Sequence, residues 1–138
     1  MGTRSTIALE FADGTVEQVY CHWDGYLENN GKILAKHYMD PFKVKELVAL
    51  GGFSSLDTTV EATAVTAYTQ RGESKRVEKF IDFEDYIENH QYEEYEYILR
   101  QVEGKAVWFV KCHDAEYVKL ESAIADEQDR IAQEETAE

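Results

Sequence analysis

The chain has 138 residues, 43% of them hydrophobic and 12% aromatic, with a formal charge of −14. Length and ring content suit one domain with a real core, and a single Pro with 8 Gly excludes a low-complexity chain. Strong acidity argues against direct binding to a nucleic-acid backbone, which proteins grip by neutralising phosphates with Lys and Arg.

The location of the charge carries more information than its size. Residues 82–96 hold seven acids and no Lys or Arg, and residues 121–138 hold seven acids with only Arg130, which leaves about −1 for the rest. A near-neutral body with two acidic strips is therefore expected. No apolar run is long enough to cross a bilayer and no signal-peptide core is present. Two cysteines, Cys21 and Cys112, are too few for a secreted disulfide scaffold, which points to a cytoplasmic protein with reduced thiols.

Thr3 to Phe11 alternates, with Ser5, Ile7, Leu9 and Phe11 on one face, and reads as a half-buried strand. Asp13-Gly14 signals a hairpin, and Val16 to Cys21 is its return strand. A ring-rich corner follows, Tyr20-Cys21-His22-Trp23-Asp24-Gly25-Tyr26. Leu27 to Met39 fits a helix with weak formers at Asn29, Asn30 and Gly31. Asp40-Pro41 starts the next helix as N-cap and first-turn proline, and Gly51-Gly52 ends it.

Thr58 to Thr69, rich in Thr and Val, reads as a long strand, with Arg76 to Ile81 pairing back after a turn around Gly72. Asp82 caps a short helix to about His90, with Glu84 and Asp85 at the positive end of its dipole. Tyr95, Tyr97 and Leu99 share a strand face opposite Glu94, Glu96, Ile98 and Arg100. Glu103-Gly104 turns the chain into Lys105 to Cys112, a strand apolar on both faces and expected to be central. Tyr117 to about Gln133 is a last helix, and Glu134 to Glu138 should fray. The expected fold is α+β: an antiparallel sheet of about six strands with helices packed over one face. Residues 1–115 form the single domain, and 116–138 an acidic helix and tail.

Two Cys-His pairs, Cys21-His22 and Cys112-His113, offer zinc-type ligands, but neighbours on a strand point to opposite faces and the spacing fits no finger; no metal and no cofactor are expected. Cys21, His22 and Asp24 are the residue types of a nucleophile, a base and an orienter. Adjacent residues rarely converge in space, so no catalytic set is expected either. Trp23 and Tyr26 beside Arg4, Arg71 and Arg76 are better suited to a flat anion such as a nucleotide, with rings stacking the base and guanidinium forks on phosphate. His22 and Asp24 complete the candidate ligand set. The bland reading of these residues is core filling and surface pairing with the many carboxylates. The acidic strip supplies an alternative, in which Glu84, Asp85, Glu88, Glu93, Glu94 and Glu96 imitate phosphates and occupy a basic host protein.

Thr3-Arg4-Ser5-Thr6-Ile7-Ala8, the Tyr20–Tyr26 motif, His37-Tyr38, Leu47-Val48-Ala49-Leu50-Gly51, Ser54-Ser55-Leu56, Arg71-Gly72-Glu73 and Trp108 together resemble a group of small acidic proteins of phage and prophage genomes. The resemblance spans about residues 2 to 110. The final acidic helix lies outside the pattern, and Leu27 stands where the group has a proline. It implies a phage-encoded protein acting in the host cytoplasm. From it come two expectations: a homo-oligomer that sequesters a nucleotide-type immune signal, or an acidic inhibitor of a host nucleic-acid-binding protein.

Overall fold

The computed structural model describes residues 3–113 and 115–136. Among them the strands β1 (Ser5–Glu10), β2 (Val16–Cys21), β3 (Glu78–Phe80), β4 (Tyr95–Val102), β5 (Lys105–Cys112) and β6 (Val118–Lys119) form one six-stranded sheet in the order β3-β2-β1-β4-β5-β6. The fold is α+β, but the sheet is mixed. β1 and β4 run parallel, with Ile7 beside Tyr97, while every other pairing is antiparallel. Parallel neighbours need a long crossover, and here residues 11–94 supply it. β1 is buried along its whole length, because it is an interior strand of the sheet with cover above and below; the expectation of a half-buried strand is corrected accordingly.

Helices α1 (Lys32–His37), α2 (Pro41–Val48), α3 (Val60–Ala64), α4 (Phe83–Asn89) and α5 (Leu120–Thr136) complete the fold. A π-turn at Leu27–Gly31 leads into α1. Ile7, Leu9, Val19, Tyr97, Leu99, Trp108 and Val110 project to one side of the sheet. There they pack with Leu34 of α1, Val44 and Leu47 of α2 and Leu120 of α5. Ala8, Val16, Phe80 and Ile98 project to the other side and meet Tyr86 of α4. Helices therefore cover both faces, not one, because the strands carry apolar residues in both registers and each face needs a lid.

Local chemistry sets the helix starts. The Asp40 carboxylate accepts from Phe42 N–H at 3.0 Å, and Asp82 accepts from Asp85 N–H at 2.8 Å. The largest departure from expectation is residues 58–69, which form α3 and a 3₁₀ turn at Tyr68–Arg71 instead of a strand. Thr59 caps α3 through Ala62 N–H at 3.1 Å, and the Thr63 and Thr66 hydroxyls donate to carbonyls of Thr59 and Ser55. Short hydroxyl side chains satisfied locally outcompete their strand preference. β3 pairs with β2 instead.

Candidate functional site

The site is built where β2 runs out. Past Gln18 the edge of β2 is no longer covered by β3, which reaches only from Val16 to Gln18. Residues 51–54 take over: Phe53 N–H donates to Tyr20 C=O at 3.0 Å, His22 N–H to Phe53 C=O at 3.2 Å, and Trp23 N–H to Ser54 C=O at 2.8 Å. The other edge of this segment receives Tyr68 N–H on Gly52 C=O and Arg76 N–H on Gly51 C=O. Gly51 has φ +80°, and a Cβ there would lie 2.3 Å from Lys75 Cγ and 3.0 Å from Arg76 N. Glycine is what lets the 68–76 loop close against the end of β2.

Between that loop, β2 and the chain after α4 lies an open cleft of about 870 Å³, within the size range of small-molecule sites. A relay of rings runs along it. The edge of Trp23 meets His22 with ring centres 4.6 Å apart. The Tyr20 hydroxyl and His22 Nδ1 are 2.7 Å apart, and Tyr20 stacks on Tyr68 at 6.4 Å. The Arg71 guanidinium then lies over Tyr68, 4.7 Å from the ring centre. Burial pushes the Tyr20 and Tyr68 phenols above their ordinary range, so both are protonated donors at neutral pH; Arg4 pulls Tyr20 the other way.

Arg4, Arg71, Lys75 and Arg76 line the cleft together with Glu73, Glu78 and Glu93. Arg71 is bound to Glu73 at 2.8 Å, an exposed pair of little net strength. Among the described residues no salt bridge engages the head groups of Arg4, Lys75 or Arg76. In a chain this acidic, four cations against three carboxylates make the cleft a local reversal of sign.

Five of the seven residues expected to bind a ligand therefore converge: Arg4, His22, Trp23, Arg71 and Arg76. Asp24 and Tyr26 do not. Asp24 sits at φ 56° and turns the chain, its carbonyl accepting from Asn29 Nδ2 at 3.2 Å and Asn30 N–H at 3.3 Å. Tyr26 lines a separate hollow of about 300 Å³ with Tyr95, Glu127 and Arg130. Trp23 remains 42% exposed, so it is a cleft wall, not core. Gln18 and Tyr68 belong to the cleft and were not anticipated. Tyr68 was hidden in a misread strand. The signal for Gln18 was a lone amide at an inward position between Val16 and Tyr20 of one strand face.

Gly25 and Ser5 show why the Thr3–Ala8 and Tyr20–Tyr26 stretches go together. A Cβ on Gly25 would lie 2.6 Å from Ser5 Cβ, and Gly25 N–H donates to Thr3 C=O at 2.8 Å. The Tyr97 hydroxyl donates to Gly25 C=O at 2.6 Å, and Asn30 Nδ2 reaches both Ser5 Oγ and Cys21 Sγ. Much of the motif is thus a structural clasp behind the cleft.

The thiols do not form a reactive centre. Cys21 is fully buried, and burial pushes its thiol up to about 11. Cys21, Ser5, Tyr95 and Cys112 occupy one row across β2, β1, β4 and β5. Three strand spacings separate the sulfurs by about 14 Å, so the two Cys-His pairs do not meet. No cluster of three metal-type ligands occurs among the described residues.

The acidic strip is broken up by the fold. Glu96 is 1% exposed: it pairs with His90 Nε2, accepts from the Tyr117 hydroxyl at 2.7 Å, and lies 3.8 Å from Lys111 Nζ. It is therefore removed from any docking surface, a correction to its expected partner-binding role. Asp85 accepts from Ile81 N–H and Asn89 Nδ2, and Glu93 lines the cleft. Glu84, Glu88 and Glu94 stay exposed.

A further hollow of about 700 Å³ lies between α1, β5 and α5, lined by Met39, Leu120 and Ile124 with Lys32, Lys36 and Lys119. It lacks the stacked rings and guanidinium groups of the cleft. No helix among the described residues is long and apolar enough to cross a membrane. Compared with protein-family models, curated proteins and solved structures, the chain matches none.

Proposed function

We propose that this chain binds and sequesters a small nucleotide-type ligand in the cleft beside β2, as a phage-encoded anti-defence protein acting in the host cytoplasm. The observation that carries the reading is the continuous array Trp23–His22–Tyr20–Tyr68–Arg71, which sets flat π surfaces beside a guanidinium with Arg4, Lys75 and Arg76 at the same opening. Such an array suits a planar base joined to phosphate. Retention without turnover is supported by the state of the thiol beside the cleft. The Cys21 thiol is sealed, its pKa is raised, and its hydrogen bonds go to the carbonyls of Trp23 and Ser54.

Assembly as a homo-oligomer is part of the proposal. Phe42, Val65 and Ile81 stand mostly in solvent, apolar surface that a second copy can bury; light scattering after size exclusion reads the mass.

Calorimetry with mononucleotides, cyclic dinucleotides and cyclic ADP-ribose isomers tests the binding step. At least one should give heat, and mass spectrometry should recover it unchanged. Replacing Arg71 by Ala should weaken it about tenfold, and Trp23→Ala should do likewise. Silence across the panel would overturn the reading. Recovery of a cleaved product would replace sequestration by catalysis. The acidic-mimic alternative retains Glu84, Glu88 and Glu94 but has lost Glu96 to the interior, and nothing in the geometry favours it.

A further inference from the structure

Gln18 lies in the floor of the cleft and is 1% exposed, yet neither its Nε2 nor its Oε1 has a hydrogen-bond partner. Its sheet neighbours are Ala8 on one side and Glu78, the first residue of β3, on the other. Ala8 has no polar atom, and Glu78 is exposed. A second orphan lies one row along the same face. Thr6, opposite Tyr20, is also 1% exposed with its Oγ1 unpartnered. Buried polar side chains are normally satisfied, and each exception asks for a missing partner. In the described residues the unpartnered buried side-chain atoms are these three, on Thr6 and Gln18. Gln18 lines the cleft, whereas Thr6 lies behind it on the interior strand β1.

The chemistry of the orphan limits what completes it. A carboxamide presents one acceptor oxygen and an NH₂ donor in a single plane. A phosphate offers acceptors only, so it satisfies one end. A planar edge with a donor beside an acceptor satisfies both through two parallel bonds, as glutamine does with adenine N6 and N7. Nucleobases carry such edges: an exocyclic amine or a lactam N–H next to a ring nitrogen or carbonyl. Three of the cleft's cations, Arg71, Lys75 and Arg76, by contrast, lie on its outer loop, all exposed.

We infer that Gln18 is the specificity-determining residue of the cleft: its carboxamide pairs edge-on with a nucleobase whose phosphate stays at the Arg71–Arg76 rim. This rests on the cleft being an anion-binding site, as proposed above. The free protein holds an unsatisfied amide, and the ligand's base supplies its partners. Discrimination at this position arises because a ligand without the edge leaves both amide groups unpaired.

Calorimetry on the full chain with AMP, GMP, CMP, UMP and ribose 5-phosphate tests it, alongside thermal unfolding of the unliganded protein. At least one of the four nucleotides should bind wild type about 5- to 150-fold tighter than ribose 5-phosphate, the range of one bidentate pair. Gln18→Met should cut that advantage by about 5- to 150-fold, to the part that ring stacking supplies, while leaving ribose 5-phosphate affinity within about twofold, since the rim is untouched. With no ligand present, Gln18→Met and Gln18→Leu should melt at or above the wild-type temperature, because an apolar side chain removes an unpaired buried amide. If Gln18→Met leaves the nucleotides' advantage over ribose 5-phosphate unchanged, the assignment to Gln18 fails while the nucleotide-binding cleft stands. If none of the five compounds binds, both fail. If both variants melt well below wild type, the amide is already bonded in the free protein, and the inference is overturned.

Discussion

The two faces of the sheet solve the same packing problem differently. One face lies under α1, α2 and α5 and is almost wholly apolar: Tyr97, Leu99, Trp108 and Val110 meet Leu34, Leu47 and Leu120. Its few polar atoms have fixed partners, such as Trp108 Nε1 on Tyr38 C=O at 2.9 Å. The other face is covered by the seven-residue α4 and a small cluster around Tyr86. It buries Glu96 and His90, each with 1% side-chain exposure, and leaves Gln18 and Thr6 without partners. A thick lid makes a core; a thin lid leaves room for polar groups, some locked together and some open to a guest. Function is expected on the thin side because unsatisfied groups persist only where something external completes them.

Four measurements break or sharpen that contrast. The largest effect belongs to the locked network. Glu96→Ala should cost about 3–5 kcal/mol in urea unfolding, since it strands the buried His90 and takes their partner from the half-buried Tyr117 and Lys111; a loss below about 1 kcal/mol would mean that this face is solvated after all. Leu47→Ala on the thick side should cost about 2–5 kcal/mol. Its cost should be insensitive to salt, whereas that of Glu96→Ala should shift with ionic strength wherever solvent reaches Lys111. Gly25→Ala drives a methyl to 2.6 Å from Ser5 Cβ. It should cost about 1–3 kcal/mol by overpacking, read as a lower melting temperature.

The smallest effect is a pH effect. Burial raises the Cys21 thiol from 9.0 to about 11. Above pH 9 the unfolded chain loses this proton first and binds fewer protons than the native state, so stability falls as pH rises. The contribution is complete below pH 9 and lost through about 11. The advantage of wild type over Cys21→Ala should therefore shrink by about 1.4 kcal/mol between pH 7 and pH 10. An unchanged difference would show the thiol to be solvent-connected.

What could be read from the chain was whatever local chemistry decides. The Asp13-Gly14 hairpin, the Asp40 and Asp82 caps, and the Glu103-Gly104 turn with both residues at positive φ follow from side chains acting on their own backbone. Convergence of Arg4, His22, Trp23, Arg71 and Arg76 was also within reach, because rings and guanidinium groups are scarce in an acidic chain and they frame the same corner. The parallel pairing of β1 with β4 was not legible, since register between strands some ninety residues apart is set by packing and not by neighbours in sequence. Residues 58–69 misled because threonine serves a strand and a helix cap equally well, and Thr59 and Thr63 take the latter role. Tyr26 misled because Asp24, at φ 56°, turns the backbone between it and Trp23. Glu96 misled because its neighbours Glu93 and Glu94 suggest a solvated run, while both faces of β4 are covered from Glu96 to Leu99.

The crossover between β1 and β4 also bears on how the chain is made. A ribosome releases the first hairpin long before Leu99 exists, and at 5–20 residues per second the interval is roughly 4–16 s. Throughout that wait the inner edge of β1, a run of unpaired amides and carbonyls beside Ile7 and Leu9, is bare and ready to zip onto another nascent chain. Yield in a cell should therefore depend on holdase capacity during synthesis more than on the finished molecule's resistance to heat.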